Sequence, residues 1–362
     1  MGLPFMPDAA SNPGFRPAFA IKAAAPAGGG GLLDAVSSAA SSLIGLGASQ
    51  SDPWAENLQS LSLTRACAPF VDQCSVRLSR GPTAPDVALG DALTVSAGFD
   101  SDLKSVLTGT VTSMTSGTGS SMDIIISSPA QKLASMRQNS SYEQHSLSDL
   151  LQLWANEAGV SVGTVEAGPT FPFVAIDDRR SIWDWMAEIA GLCGLKVWLD
   201  GDGALQCKAA SSASAARYVY GQDVMAFDFV ARGAGLEQVS VSGEGAAGSQ
   251  GAQAWSWLVK NVGGVQVEKG GGSHGRVRSP GLLRNRAAVE SAAQGLHGSA
   301  KASASSLRLR VSGAAHLGPE SRFDLSGCPQ ASGDGSYKLG RVTHRYDAEQ
   351  GFTSELHGVK AA

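Results

Sequence analysis

Ser146-Leu147-Ser148-Asp149-Leu150-Leu151-Gln152-Leu153-Trp154, closing at Ala158-Gly159, decides how the middle of this chain folds. Ser146 is placed to cap exposed backbone amides, and Asp149 three residues on puts a carboxylate at the positive end of a helix. Leu147, Leu150, Leu151, Trp154 and Ala158 recur at helical spacing, so Leu150 and Trp154 are expected on one buried stripe. Gly159 ends the helix. The same grammar returns at Ser181 and Asp184, with Ile182, Trp185, Ile189 and Leu192 as the stripe and Gly194 as the stop. Trp185 and Ile189 are the expected core of this second helix. Leu195 to Leu199 then reads as a strand and Asp200-Gly201-Asp202-Gly203 as a tight turn, because glycine accepts positive φ. Ala204 to Cys207 returns as the partner strand. Two glycine-stopped helices feeding a hairpin make a small α/β packing module, expected over 130–208.

On either side the period changes to two. Cys74, Val76 and Leu78 alternate with Ser75 and Arg77, and Leu93, Val95, Ala97 and Phe99 with Thr94, Ser96 and Gly98. Val106 to Val111 and Met122 to Ile126 follow between Gly and Ser turns, so 58–129 reads as an antiparallel sheet or barrel. After the module, 209–362 returns to strands, with Leu307, Leu309 and Val311 and later Val342, His344 and Tyr346 alternating with polar residues. Residues 243–272 read as a glycine-rich excursion carrying Trp255 and Trp257, and a helix over Arg286 to Lys301 is weakened by Gly295 and Gly298. The fold class is α+β, mainly β.

Residues 1–57 differ from the rest. Prolines and the run Gly28 to Gly31 cannot bury a core alone, so this part reads as an extended arm. Within it Leu32, Leu33, Val36, Leu43 and Ile44 recur at helical spacing over 32–46. Two readings stay open: a linker with a transient helix, and a docking helix that folds against a partner.

The 362 residues suffice for about two to three domains, and the net charge of −4 argues against a global field for nucleic acid or anionic membrane. The five cysteines, odd in number and scattered, read as small buried residues in a reducing compartment. No apolar run reaches the roughly 20 residues of a membrane helix, and no basic region precedes an apolar stretch at the N-terminus.

Catalytic candidates weaken one by one. Asp177 and Asp178 adjoin on a loop and read as solvating a turn beside Arg179 and Arg180. Glu143 and His145 lack a nucleophile nearby, and Cys328, His344 and His357 match no compact metal spacing. No catalytic residue, metal or cofactor is expected. One charged stretch stands out: Arg276, Arg278, Arg284, Arg286, Lys301, Arg308 and Arg310 with Glu290 as its single acid. It is either an ordinary solvated face or a docking face for an acidic protein surface.

The order of these elements resembles the baseplate hub proteins of contractile injection systems: the contractile-phage tail hub, phage late control protein D and the N-terminal half of VgrG spike proteins. The resemblance is carried by Asp102 to Thr112, Ser146 to Gly159, Ser181 to Leu205, and Gly335 to Asp347 with Gly351 to Leu356. It implies two tube-type antiparallel β-barrels joined by the insert, and a homotrimer presenting six near-equivalent units. Such a ring would join a three-fold spike to a six-fold tail tube and nucleate tube assembly. It implies contacts with the tube protein, the spike or tip protein and other baseplate components. Specific nucleic acid and, at rest, membrane are not among these contacts, and the piercing tip belongs to another polypeptide. The protein is then made in the cytoplasm and built into a virion or tail-like particle. Rival readings are a tail-associated peptidoglycan hydrolase and a glycan- or receptor-binding β module resting on Trp255 and Trp257.

Overall fold

The computed structural model describes residues 17–24, 52–117, 119–232, 237–243, 266–272, 275–278, 280–347 and 350–361. It is mainly β, with 48% strand and 19% helix. Strand β1 (Pro17–Ala23) and helix α1 (Pro53–Asn57) lead into β2 (Leu58–Ala66), β3 (Gln73–Ser79), β4 (Ala92–Phe99), β5 (Asp102–Ser116) and β6 (Ser121–Ser127). These strands hydrogen-bond in the order β1-β4-β5-β6-β3-β2. Alternate residues such as Leu61, Leu63, Val76, Val95, Ile124 and Ile126 turn to one face and close a first core. The expected arm over 1–57 therefore needs correcting. Residues 17–23 pair with β4 along their whole length. Ile21 enters this core, and the Phe19 ring sits 5.0 Å from Phe352 and 4.7 Å from Tyr346. A short alternation of Phe19 and Ile21 suffices, because β4 supplies the other half of every ladder bond. The proposed docking helix 32–46 lies outside the described residues, as do Trp255 and Trp257.

The insert follows as α2 (Ala130–Ser135), β7 (Ser140–Ser146), α3 (Leu147–Glu157), β8 (Val162–Val165), β9 (Thr170–Ile176), α4 (Ile182–Leu192), β10 (Val197–Leu199) and β11 (Leu205–Cys207). Both helices open with a reciprocal capping box. Asp149 N donates to Ser146 Oγ at 3.1 Å and Ser146 N to Asp149 Oδ2 at 2.9 Å, and Ser181 with Asp184 repeats the exchange at 3.2 Å each way. Gly159 and Gly194 sit at φ +64° and +75°, where glycine ends helices without a Cβ penalty. Leu150, Trp154 and Ile189 are fully buried. Trp185 is not the buried tryptophan of α4; Trp183 is, at 1% exposure. The helix packs against α2, α3 and the later helix over Arg286–Ala302, and Trp183 reaches the β2–β3 connection, so its buried arc widens to take in Trp183, Met186 and Ala190 while Trp185 is only partly buried.

The chain ends with β12 (Ala216–Val219), β13 (Val224–Ala231), β14 (Gln238–Ser242), β15 (Gln266–Gly270), β16 (Gly275–Arg278), α5 (Arg286–Ala302), β17 (Ser305–Ser312), β18 (Arg322–Ser326), β19 (Gly335–Asp347) and β20 (Gly351–Lys360). Two closed barrels are not found among the described residues. A single 12-stranded sheet instead runs β1-β4-β5-β6-β3-β2-β19-β20-β17-β13, with β18 and β12 branching from β19. The cause is β19, long enough to serve both halves: Arg341–Asp347 pair with β2, and the start of the strand pairs with β18. The register of β19 against β20 shifts between Leu339 and Arg341, at Gly340, where the outer partner changes. Each lobe keeps its own core, the second built on Leu309, Val311, Phe323, Tyr337 and Leu356. The remaining elements cross the boundary expected at 208. Val239 and Val241 of β14 and Ala288, Val289, Ala292 and Ala293 of α5 enter the core of the insert.

Helix α5 reaches the insert through a glycine contact. A Cβ on Gly295 would lie 2.3 Å from Gly194 N, whereas one on Gly298 meets nothing within 4 Å. Gly298→Ala is therefore expected to stabilise by roughly 0.5–1 kcal/mol through helix propensity. Gly295→Ala gains the same propensity but forces two backbones apart, for an expected net loss of about 1–3 kcal/mol. Urea unfolding of the two variants checks this; shifts of the same sign would show that the helices do not touch there.

Candidate functional site

Between α5, the end of α4 and the outer face of the C-terminal lobe lies a cleft of about 1500 Å³. Sheet register builds its floor. One row across the strands reads Asp228, Arg308, His357, Arg341, and the next Val230, Ser306, Val359, Lys338, Arg322. The irregularity at Gly340 keeps Arg341 on the same face as Lys338, although they are three positions apart. The facing wall is one stripe of α5, with Ser291, Gln294, Gly295, Gly298, Ser299 and Ala302 at helical spacing. Lys196 and Lys208 of the insert, both exposed, and Lys360 also line the cleft.

Charge in the cleft is unevenly compensated. Asp228 and Glu320 are its lining acids. Lys338 Nζ lies 3.0 Å from Glu320 Oε2, and Arg341 covers the Phe70 ring at 5.1 Å. Beneath the floor, Glu355 accepts Arg308 Nε and Nη2 at 3.0 Å each, Arg345 Nη1 at 3.1 Å, and pairs with His357 Nε2 at 2.6 Å. Burial would raise this carboxyl, but the bonds from Arg308, His357 and Arg345 outweigh it and hold it down at about 2. Lys196 and Lys208 have no carboxylate partner among the described residues. Arg322 keeps a buried Nε without an acceptor.

The groups suggestive of catalysis are engaged elsewhere. Asp177 pairs with Arg179, which holds its carboxyl below the usual range, and its carbonyl accepts Trp185 Nε1 at 3.1 Å. His145 Nδ1 meets the Glu143 carbonyl at 2.7 Å. His344 and Ser354, a pair not anticipated from sequence, lie 2.8 Å apart but both are fully buried. Burial, and Arg65 beside it, push the imidazole down to about 3, so it stays neutral and serves as a packed polar contact. All five cysteines are free. Burial lifts Cys67 and Cys207 to about 12, where the reactive thiolate is scarce. Among the described residues no group of three or more His, Cys, Asp or Glu could hold a metal, and no helix is long and apolar enough to cross a membrane.

The arginine stretch does not stay together. Arg276 and Arg278 lie on β16, which runs parallel to β14. Arg284 stacks on Phe173 at 4.9 Å, and Arg286 pairs with Glu290 at 2.8 Å. Of that stretch, Arg308 lines the cleft. Leu32, Leu33, Val36, Leu43 and Ile44 lie outside the described residues.

The architecture recurs in solved structures. The 43 kDa tail protein of prophage MuSo2 from Shewanella oneidensis matches with TM-score 0.63 at 14% identity, over 84% of this chain and 94% of that one. A tail protein from Neisseria meningitidis MC58 matches with TM-score 0.62 at 15% identity, over 84% and 92%. The chain shares its fold with these tail proteins. The E. coli c3393 protein, a type VI secretion component described as similar to T4 bacteriophage tail proteins gp27 and gp5, shares it with TM-score 0.56 at 9% identity, over 84% and 74%. A family model described as the Alg8 N-terminal domain matches residues 84–256, under half of the chain. No curated protein matches the chain. The family match spans β4 to β14 and leaves out β17 to β20, the strands through which the two halves of the sheet join.

Proposed function

We propose that this chain is a structural hub of a phage-tail or contractile-injection baseplate. The reading rests on one observation, the tail-protein fold shared over 84% of the chain with proteins of separate tail and secretion systems. In this role the chain forms a homotrimer that joins a three-fold spike to a six-fold tube and nucleates tube assembly. Each subunit carries two β lobes with separate cores, so three subunits would present six comparable units to a tube. The insert, clamped to the sheet by Ala68 N to Val197 O at 2.7 Å, would hold the lobes at a fixed spacing. Leu32, Leu33, Val36, Leu43 and Ile44 of the arm, and Arg276, Arg278, Arg284 and Arg286, are then contacts for neighbouring subunits or baseplate components. The protein acts by geometry and not by bond chemistry, inside a particle.

Light scattering and negative-stain imaging of the chain produced together with its tube and spike proteins test this. A trimeric ring bound to the tube is expected. A chain that remains monomeric in that mixture would overturn the proposal.

A further inference from the structure

We infer that the cleft between α5 and the C-terminal lobe is a docking site for an extended acidic segment of a partner protein. The local cation excess is not the by-product of a basic chain, since the whole sequence carries −4. Lys196 and Lys208 have no carboxylate partner among the described residues, and Arg322 holds a buried Nε with no acceptor. The two lysines have donors to spare in a concave site, where field lines concentrate.

The spacing suits a peptide. Lys338 and Arg322 are directly opposed on neighbouring strands, about 4.8 Å apart in backbone, and successive outward positions along a strand are ~6.8 Å apart. An extended segment with a carboxylate at every second residue repeats at that second distance. The α5 wall offers Gly295, Gly298, Ser299 and Ala302, so a backbone can approach without meeting long side chains. Nucleic acid fits less well, because unpaired bases seek aromatic faces. Among the described residues lining the cleft the aromatic rings are Phe70, which Arg341 already covers, and His357, which is held by Glu355. A free phosphate would occupy a small part of a space of about 1500 Å³.

The inference goes beyond the hub reading and is tested without it, on the full chain and a peptide probe. The probe is a fluorescein-labelled peptide of about twelve alternating glutamate and threonine residues, with an alternating lysine–threonine peptide and oligo-dT as controls. Anisotropy should show binding of the acidic peptide alone at about 50 mM salt, weakening at least about tenfold at about 500 mM. Lys196→Glu with Lys208→Glu should lower affinity by at least about tenfold. Gly298→Trp touches no charge and projects into the open cleft, and it should abolish binding. These positions are exposed or open, and circular dichroism checks that the variants fold. No binding of the acidic peptide at low salt would overturn the inference. So would binding indifferent to both variants, or oligo-dT bound as tightly.

Discussion

Trp183→Ala is expected to destabilise the protein by roughly 3–5 kcal/mol, the cost of emptying a large buried site that cannot collapse. Trp183 is 1% exposed, and its Nε1 donates to the Phe70 carbonyl at 3.0 Å. The ring thus fills the insert and its edge pins the β2–β3 connection that carries Phe70 to the cleft. Trp183→Phe keeps most of the volume and strands that carbonyl, for an expected loss of about 1–2 kcal/mol. Trp185→Ala is the contrast. Trp185 is partly buried, with Arg180 at 5.2 Å over its ring and its Nε1 on the Asp177 carbonyl. Its removal should cost only about 1–2 kcal/mol. Urea unfolding followed by far-ultraviolet circular dichroism ranks the variants. A Trp185→Ala loss equal to that of Trp183→Ala would mean that the buried face of α4 has been misassigned.

That contrast shows where sequence stops being legible. The helix ends were readable because a capping box is a local signal, written within three residues at Ser146–Asp149 and Ser181–Asp184. Which tryptophan of α4 is buried was not, since a helix packed on several sides breaks the single-stripe rule that favoured Trp185. The pairing of the strands was hidden for the same reason on a larger scale. Alternation marked β2 and β19 as strands, but Thr64 meeting Thr343 is a pairing that no local pattern encodes. One shared strand then joins the two lobes in a single sheet. Strand β1 was hidden by the prolines and glycines around it, although Phe19 and Ile21 carried the period. The cleft was legible only in part. Arg308 stood out in a run of arginines, yet its cross-strand neighbours Asp228 and His357, and Arg341 beyond them, are set by register across strands.

Arg65→Met is expected to cost little at pH 6 and several kcal/mol at pH 9. Arg65 and Asp72 are 6% and 2% exposed, with Nε 3.9 Å from Oδ2. Arg65 Nη2 also donates to the Leu199 carbonyl at 3.1 Å, tying β2 to the hairpin, and Asp72 Oδ1 accepts the Ala66 amide at 2.8 Å. Burial raises the Asp72 carboxyl from 3.8 to about 7, against the opposing pull of Arg65 and the Ala66 amide. A folded value above the unfolded one means that the native state prefers the proton. The stability this contributes is complete below 3.8 and lost as pH rises toward and past about 7. Removing the guanidinium lifts the folded value further, so the variant keeps losing stability where the wild type has already ionised against Arg65. Near pH 6 the deficit is the stranded Leu199 carbonyl, about 1 kcal/mol. Above pH 7 it should grow by up to about 1.4 kcal/mol per unit, approaching the ~3–5 kcal/mol of a broken buried pair. Adding Asp72→Asn to the variant should flatten that growth, because no group is left to ionise. Unfolding free energies of the three proteins at pH 6 and pH 9 decide the matter, and a deficit independent of pH would show that Asp72 is not held by Arg65.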